Sequence, residues 1–298
     1  METPVTSHRH SRARRRRPWP LAAAAVLLLA VVAIVAVVAI NRSSSGPQAS
    51  GGTCAELNVP AYFSAAEWAS ADLVKPAPGT IILNPSTGIG AGSSVNPSFV
   101  PAVRQAQKAG VTVLGYISTV DGQRPVSQVE ADIRHYKSWY GVTAIFFDRV
   151  SALPQYVTYY RQLATYVHQL SPGAEVWLNP GIYPTDTQYM SIANVVMVFE
   201  GSYAQYQSLQ VPSWAGSYPA SKFADTVYAT LESQLPAALA LARHRHAGHI
   251  YVTDDVEPNP YASLPSYWTS EVSAVGAECH DGTAIAAPAL AVRLDTRG

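Results

Sequence analysis

The chain has 298 residues, 48% of them hydrophobic and only 13% charged, with 20 Lys+Arg, 20 Asp+Glu and two cysteines. Seven of the cations and one of the acids fall at or before Arg42, so the rest carries 13 Lys+Arg against 19 Asp+Glu, a net charge of −6. That balance gives no electrostatic basis for binding DNA, RNA or an anionic lipid surface.

The first segment sets the compartment. Arg9, Arg12 and Arg14 to Arg17 precede an apolar run, residues 21–40, that no charge interrupts. Twenty helical residues rise about 30 Å, enough to span a bilayer core, whereas the apolar core of a cleaved signal peptide has about 7–15 residues. The expectation is a cytoplasmic basic segment (1–20) and a transmembrane signal-anchor (21–40), with everything that follows outside by the positive-inside rule. Val37-Val38-Ala39 is also an acceptable cleavage signal, and cleavage there would make the protein secreted rather than membrane-anchored. Residues 41–52 read as a flexible Ser/Gly-rich linker, 53–285 as the folded domain and 286–298 as a C-terminal tail. Cys54 and Cys279 bracket that domain, and an oxidising exterior allows them to pair. Such a pair implies chain ends that meet, as in a closed barrel. The alternative, two unrelated thiols, is unusual in an exported protein.

Eight short runs rich in Val, Ile, Phe and Tyr then alternate with helix-like stretches: 57–63, 80–83, 111–117, 142–147, 174–178, 194–199, 223–229 and 249–253. Residues 97–109, 127–140, 155–170 and 233–245 carry apolar residues at helical spacing, and Gly110, Gly141 and Gly173 stand where helix C-caps are expected. Alternation of this kind predicts an α/β fold, a (β/α)₈ TIM barrel. An open doubly wound sheet is the alternative, but no glycine-rich phosphate loop follows the first run.

Strand C-termini in such a barrel converge on one mouth, where active sites form. Tyr62 lies near the end of the first run, Asn84 ends the second, and Tyr116 sits in the third. Asp148, Asn179 and Glu200 end the next three, and Asp254 and Asp255 end the last. Asp148 and Glu200 emerge straight from the apolar runs IFFD and VMVFE. Desolvation there raises a carboxyl pKa, so one acid stays protonated while its partner ionises, the requirement of glycoside hydrolysis. No Gly-x-Ser-x-Gly elbow, HExxH or P-loop competes. With 17 Tyr and 6 Trp available, Tyr62, Tyr116, Tyr183, Tyr203 and Trp214 are candidates to stack on sugar faces. His244, His246 and His249 with Arg243 and Arg245 read as helix-end cations rather than a metal site, so neither metal nor cofactor is expected.

The segments VPAYF (59–63), IILNPSTGIG (81–90), VLGYIST (113–119), RPVSQVEADI (124–133), GVTAIFFD (141–148), WLNPG (177–181), VMVFEGSY (196–203), YVTDD (251–255) and PNPYASLPSYW (258–268) resemble, in this order, the spherulin-4-like proteins (spherulation-specific family 4). The resemblance implies a TIM barrel and endo-acting cleavage of α-1,4-linked N-acetylgalactosamine-containing polymer. It assigns Asp148 and Glu200 as the catalytic pair and Asn179 as a substrate-orienting residue. One position departs from the pattern: where the family commonly has FFDE, this chain has Arg149. A guanidinium close to Asp148 would favour its ionised form. The leading expectation is a retaining endo-glycosidase with Asp148 as nucleophile and Glu200 as acid/base. The alternatives are a carbohydrate-binding wall protein without turnover and a structural surface protein with a vestigial site.

Overall fold

A computed structural model of the chain describes residues 55–72 and 74–280, apart from the side chains of residues 69 and 278–280. The basic segment, the proposed membrane anchor, the linker, Cys54 and its pairing with Cys279, and the C-terminal tail all lie outside the described residues. Among the described residues, no helix is long and apolar enough to cross a membrane.

Eight parallel strands close into a barrel in chain order, and a helix follows each one. The strands are β1 (Glu56–Ala61), β2 (Thr80–Leu83), β3 (Thr112–Ser118), β4 (Ala144–Asp148), β5 (Val176–Leu178), β6 (Val195–Ser202), β7 (Phe223–Tyr228) and β8 (His249–Val252). The helices are α1 (Ala65–Asp72), α2 (Phe99–Lys108), α3 (Val126–His135), α4 (Val157–Leu170), α5 (Tyr189–Ile192), α6 (Tyr203–Gln207), α7 (Leu235–His244) and α8 (Trp268–His280). The expected barrel is therefore present, with β1 pairing to β8 at Glu56↔His249 and Leu57↔Ile250 to close it.

The glycine stops act as the sequence predicts. Gly110 and Gly141 adopt φ +88° and +69°, left-handed values that cost glycine nothing. One helix differs from expectation: 127–140 is not a single α-helix but α3 followed by a π turn at Tyr136–Tyr140. The turn delivers the Tyr136 ring to Gly115, where any Cβ would lie 2.6 Å from it, and its hydroxyl donates to the carbonyls of Leu83 and Tyr116.

Alternation along each strand sorts the core into two parts. Ile82, Leu114, Ala144, Phe146, Trp177, Val195, Met197 and Ala224 fill the bore. The opposite strand faces, with residues such as Ile81, Ile145, Leu178 and Val196, pack against the helices. Following the inward phase upward from Leu114, Phe146 and Trp177 leads to Tyr116, Asp148 and Asn179. On β6 the same alternation would turn Glu200 outward, because Val195 and Met197 already face in. The pairing of β6 with β7 slips between Met197 and Phe199: Met197↔Ala224 is followed by Phe199↔Asp225 and Glu200↔Thr226. Val198 is thus an extra residue, a β-bulge that reverses the phase. Phe199 turns out onto Tyr206, with ring centroids 4.7 Å apart, and Glu200 turns into the mouth.

Candidate active site

Asp148 ends β4, Asn179 follows β5 and Glu200 lies on β6, so three adjacent strands supply the centre. Asn179 Oδ1 accepts the Gly181 backbone N–H at 2.9 Å, which directs the amide NH₂ group toward the acids. Its Nδ2 donates to Asp148 Oδ1 at 2.8 Å and to Glu200 Oε2 at 2.6 Å. The two accepting oxygens are therefore at most about 5.4 Å apart, the two bonds laid end to end.

Each acid also accepts from a phenol. Tyr116 OH donates to Asp148 Oδ2 and Tyr261 OH to Glu200 Oε1, both at 2.8 Å. Tyr62 stands edge-on to both rings, with centroids 5.3 Å from Tyr116 and 5.7 Å from Tyr261. Burial raises the pKa of all three phenols, and the nearby carboxylates add to the effect, so the phenols remain donors.

The two acids differ in charge preference. Burial is the main influence on both. Glu200 is pushed up to about 7 by desolvation first and by the Asp148 charge second, against the hydrogen bonds from Asn179 and Tyr261. Asp148 is raised by desolvation, which is opposed by bonds from Tyr116, the Arg149 backbone and Asn179 and by the Arg149 charge. The pair therefore holds a proton to higher pH than free carboxyls do, and the Asp148 charge favours its placement on Glu200.

Of the residues singled out in the sequence, Tyr62, Tyr116, Asp148, Asn179 and Glu200 meet here. Asn84 follows β2 and donates to Gly88 O at 3.4 Å, bracing its own loop. Tyr203 opens α6 and is buried in the main apolar core. Asp254 accepts from the Ser266 backbone N–H and hydroxyl, and Asp255 from the Ser263 hydroxyl, so both carboxylates hold the segment after β8. Tyr183 and Trp214 pack on each other and on Phe223, the first residue of β7, rather than over the acids. Arg149 does not extend its side chain to Asp148. Its backbone takes φ +48°, and its guanidinium pairs with Asp121 at 2.7 Å, where both side chains are more than half exposed. His246 and His249 bond the carbonyls of Tyr218 and Ser221. Sequence reasoning missed Tyr261 as a site residue, although it lies within the PNPYASLPSYW segment; no strand-end position marks it.

Fold and mouth together define a TIM barrel whose carboxyl-end opening carries a paired-carboxyl centre. The chain belongs to spherulation-specific family 4, whose model it matches over residues 57–275. Spherulin-4 of Physarum polycephalum is 31% identical over 265 residues, spanning 84% of this chain and 77% of that protein. The crystal structure of Aspergillus clavatus Sph3 in complex with GalNAc shares the fold, with a TM-score of 0.64 at 24% identity over 76% of this chain and 98% of that one.

Proposed function

We propose that this protein is a glycoside hydrolase that cuts an amino-sugar polysaccharide of the galactosaminogalactan type within the chain, at α-1,4-linked N-acetylgalactosamine units. The observation that carries this reading is the single Asn179 nitrogen shared by Asp148 and Glu200, which sets two unlike carboxyls across the width of one sugar ring. The choice of sugar follows the family and the GalNAc held by Sph3.

In this reading Glu200, whose pKa stands at about 7, donates its proton to the glycosidic oxygen as the C1–O bond breaks. Asp148 attacks C1 and forms a glycosyl ester. Water then enters, Glu200 removes its proton, and the attack of the oxygen on C1 releases Asp148. Retaining enzymes hold their carboxyls about 5–5.5 Å apart and inverting ones about 6.5–9.5 Å, so the short Asn179 bridge favours retention. Asn179 and the two phenols stabilise whichever carboxylate is charged at each stage.

The barrel in this reading works outside the cell, anchored through residues 21–40 or released by cleavage. Protease digestion of intact cells tests the topology: loss of the barrel with survival of the N-terminal segment is expected, and full protection contradicts it.

Hydrolysis is tested by incubating the protein with galactosamine-containing exopolysaccharide and following new reducing ends. Release by the native protein, abolished in Asp148→Asn and Glu200→Gln, is expected. Binding to the polymer without turnover would make the barrel a carbohydrate-binding protein instead.

A further inference from the structure

The donors to the two acids are mounted differently. Tyr116 lies within β3, fixed by the strand ladder through Tyr116↔Phe146. Tyr261 lies in the middle of residues 253–267, which form neither helix nor strand. Backbone bonds from Ala229 N to Asp255 O and from Thr230 N to Thr253 O tie its first residues to the end of β7. Side-chain bonds then hold its later part: Asp255 Oδ2 takes the Ser263 hydroxyl at 2.6 Å, and Asp254 takes the Ser266 N–H at 2.9 Å and also its hydroxyl. Tyr267 OH, at the far end, donates to Thr230 O at 2.8 Å. The ring of Tyr261 is seated edge-on against Tyr62 and tilted against Tyr251.

We infer that residues 253–267 form a positioning arm that presses the Tyr261 hydroxyl onto Glu200, with Asp254 and Asp255 as its anchors. The inference rests on the proposed hydrolytic reading for its consequence, but not for its geometry. The arm serves the acid that changes charge twice in each catalytic cycle, whereas the strand-borne Tyr116 serves the acid that begins as an anion. A phenol donating to Oε1 stabilises the Glu200 carboxylate and aligns the carboxyl plane, so Tyr261 is a positioning residue acting through Glu200. Asp254 and Asp255, two and three residues past the end of β8, thereby find a role as a pair: each carboxylate holds one serine of the arm.

The charged and titratable groups facing Glu200 are Asp148 from β4, Glu257 from the arm, Tyr228 from β7, Tyr62 and Tyr116 from the β1 and β3 side, and Tyr261 itself. Of these, Tyr261 is the one whose hydrogen bond lowers the Glu200 pKa. Removing it must move the midpoint upward, a displacement that a space-filling role would not produce.

The test is a carboxyl carbon NMR titration of Glu200 in the full-length protein, with the alkaline limb of kcat/KM measured in parallel. Tyr261→Phe is expected to raise the Glu200 midpoint by about one pH unit and lower kcat about tenfold. Ser263→Ala with Asp254→Ala, which removes all three of these bonds and leaves the phenol, is expected to reproduce most of that displacement. Adding Tyr261→Phe to the double variant should bring little more, the mark of one coupled unit. An unmoved midpoint in correctly folded Tyr261→Phe overturns the role of the phenol. A midpoint unmoved by the two anchor changes, while Tyr261→Phe shifts it, overturns the arm. If the native protein hydrolyses nothing, the NMR midpoint still reports on the arm, so failure of the hydrolase reading and failure of this inference remain separate.

Discussion

Asp148 and Glu200 stand on β4 and β6 with β5 between them, and each accepts a hydrogen bond from the same Asn179 amide nitrogen. Fifty-two positions apart in sequence, the two carboxyls become one centre because three consecutive strands each present a residue to the mouth. A shared donor between two close carboxyls couples their charges: neither acid titrates without the other responding.

Asn179→Ala removes both bonds and the constraint on spacing. Hydrogen bonds to charged groups contribute about 1.5–3 kcal/mol each, so a fall in kcat of about 10²-fold or more is expected. Steady-state kinetics beside a thermal melt checks this, since a comparable loss explained by unfolding would show in the melt.

The pH profile follows from the two raised carboxyls. Glu200 must hold its proton to act as acid, so kcat/KM should fall as pH rises through about 7. Asp148 must lose its proton to act as nucleophile, and its pKa is raised from 3.8, so activity should also fall on the acid side, at a pH above the ordinary aspartate range. Tyr116→Phe removes a bond that lowers the Asp148 pKa and should move the acid limb upward without displacing the alkaline one to the same degree. A flat profile between pH 4 and 9 would contradict these assignments.

Stability should run against activity at Glu200. Its folded pKa of about 7 exceeds its ordinary 4.5, so the contribution of the protonated side chain is complete below 4.5 and is lost as pH rises through 7. Glu200→Gln should therefore gain stability over the native protein at pH 8 and show little gain at pH 4. Asp225, bonded to Tyr206 and also pushed up to about 7, gives the same trend in both proteins and cancels in the comparison. Denaturant melts at the two pH values check the difference.

Arg149 should matter little to turnover, because its guanidinium pairs outward with Asp121. Arg149→Asn keeps the backbone N–H and tolerates the left-handed φ of +48°. Its kcat/KM is expected within about threefold of the native value, since an exposed ion pair contributes about 0–1 kcal/mol. A loss of a hundredfold would mean that the arginine side chain acts in the site.

What could be read from the sequence were features with local causes. β2 coincides with its apolar run, 80–83, and the other strands begin or end within a few residues of theirs, because fully buried parallel strands leave uninterrupted Val/Ile/Phe stretches. Asp148 and Asn179 could be found as polar residues ending such stretches. Glu200 was found by the same rule, yet its inward aim depends on the bulge at Val198, and VMVFE carries no sign of it. Nor does local pattern separate acids that face ligand from acids that hold a loop: Asp254 and Asp255 end a run just as Asp148 does, and only the positions of Ser263 and Ser266 distinguish them. Tyr261 and the outward course of the Arg149 side chain depend on partners distant in the chain, Glu200 and Asp121.

The most direct measurement of the central claim is proton NMR of the first product released from an α-1,4-linked N-acetylgalactosamine polymer, run with native protein, Asp148→Asn and Glu200→Gln. A new reducing end that appears first as the α-anomer with native protein, and is absent with both variants, is the predicted result. A product that appears first as the β-anomer, or release that survives either substitution undiminished, would contradict the account.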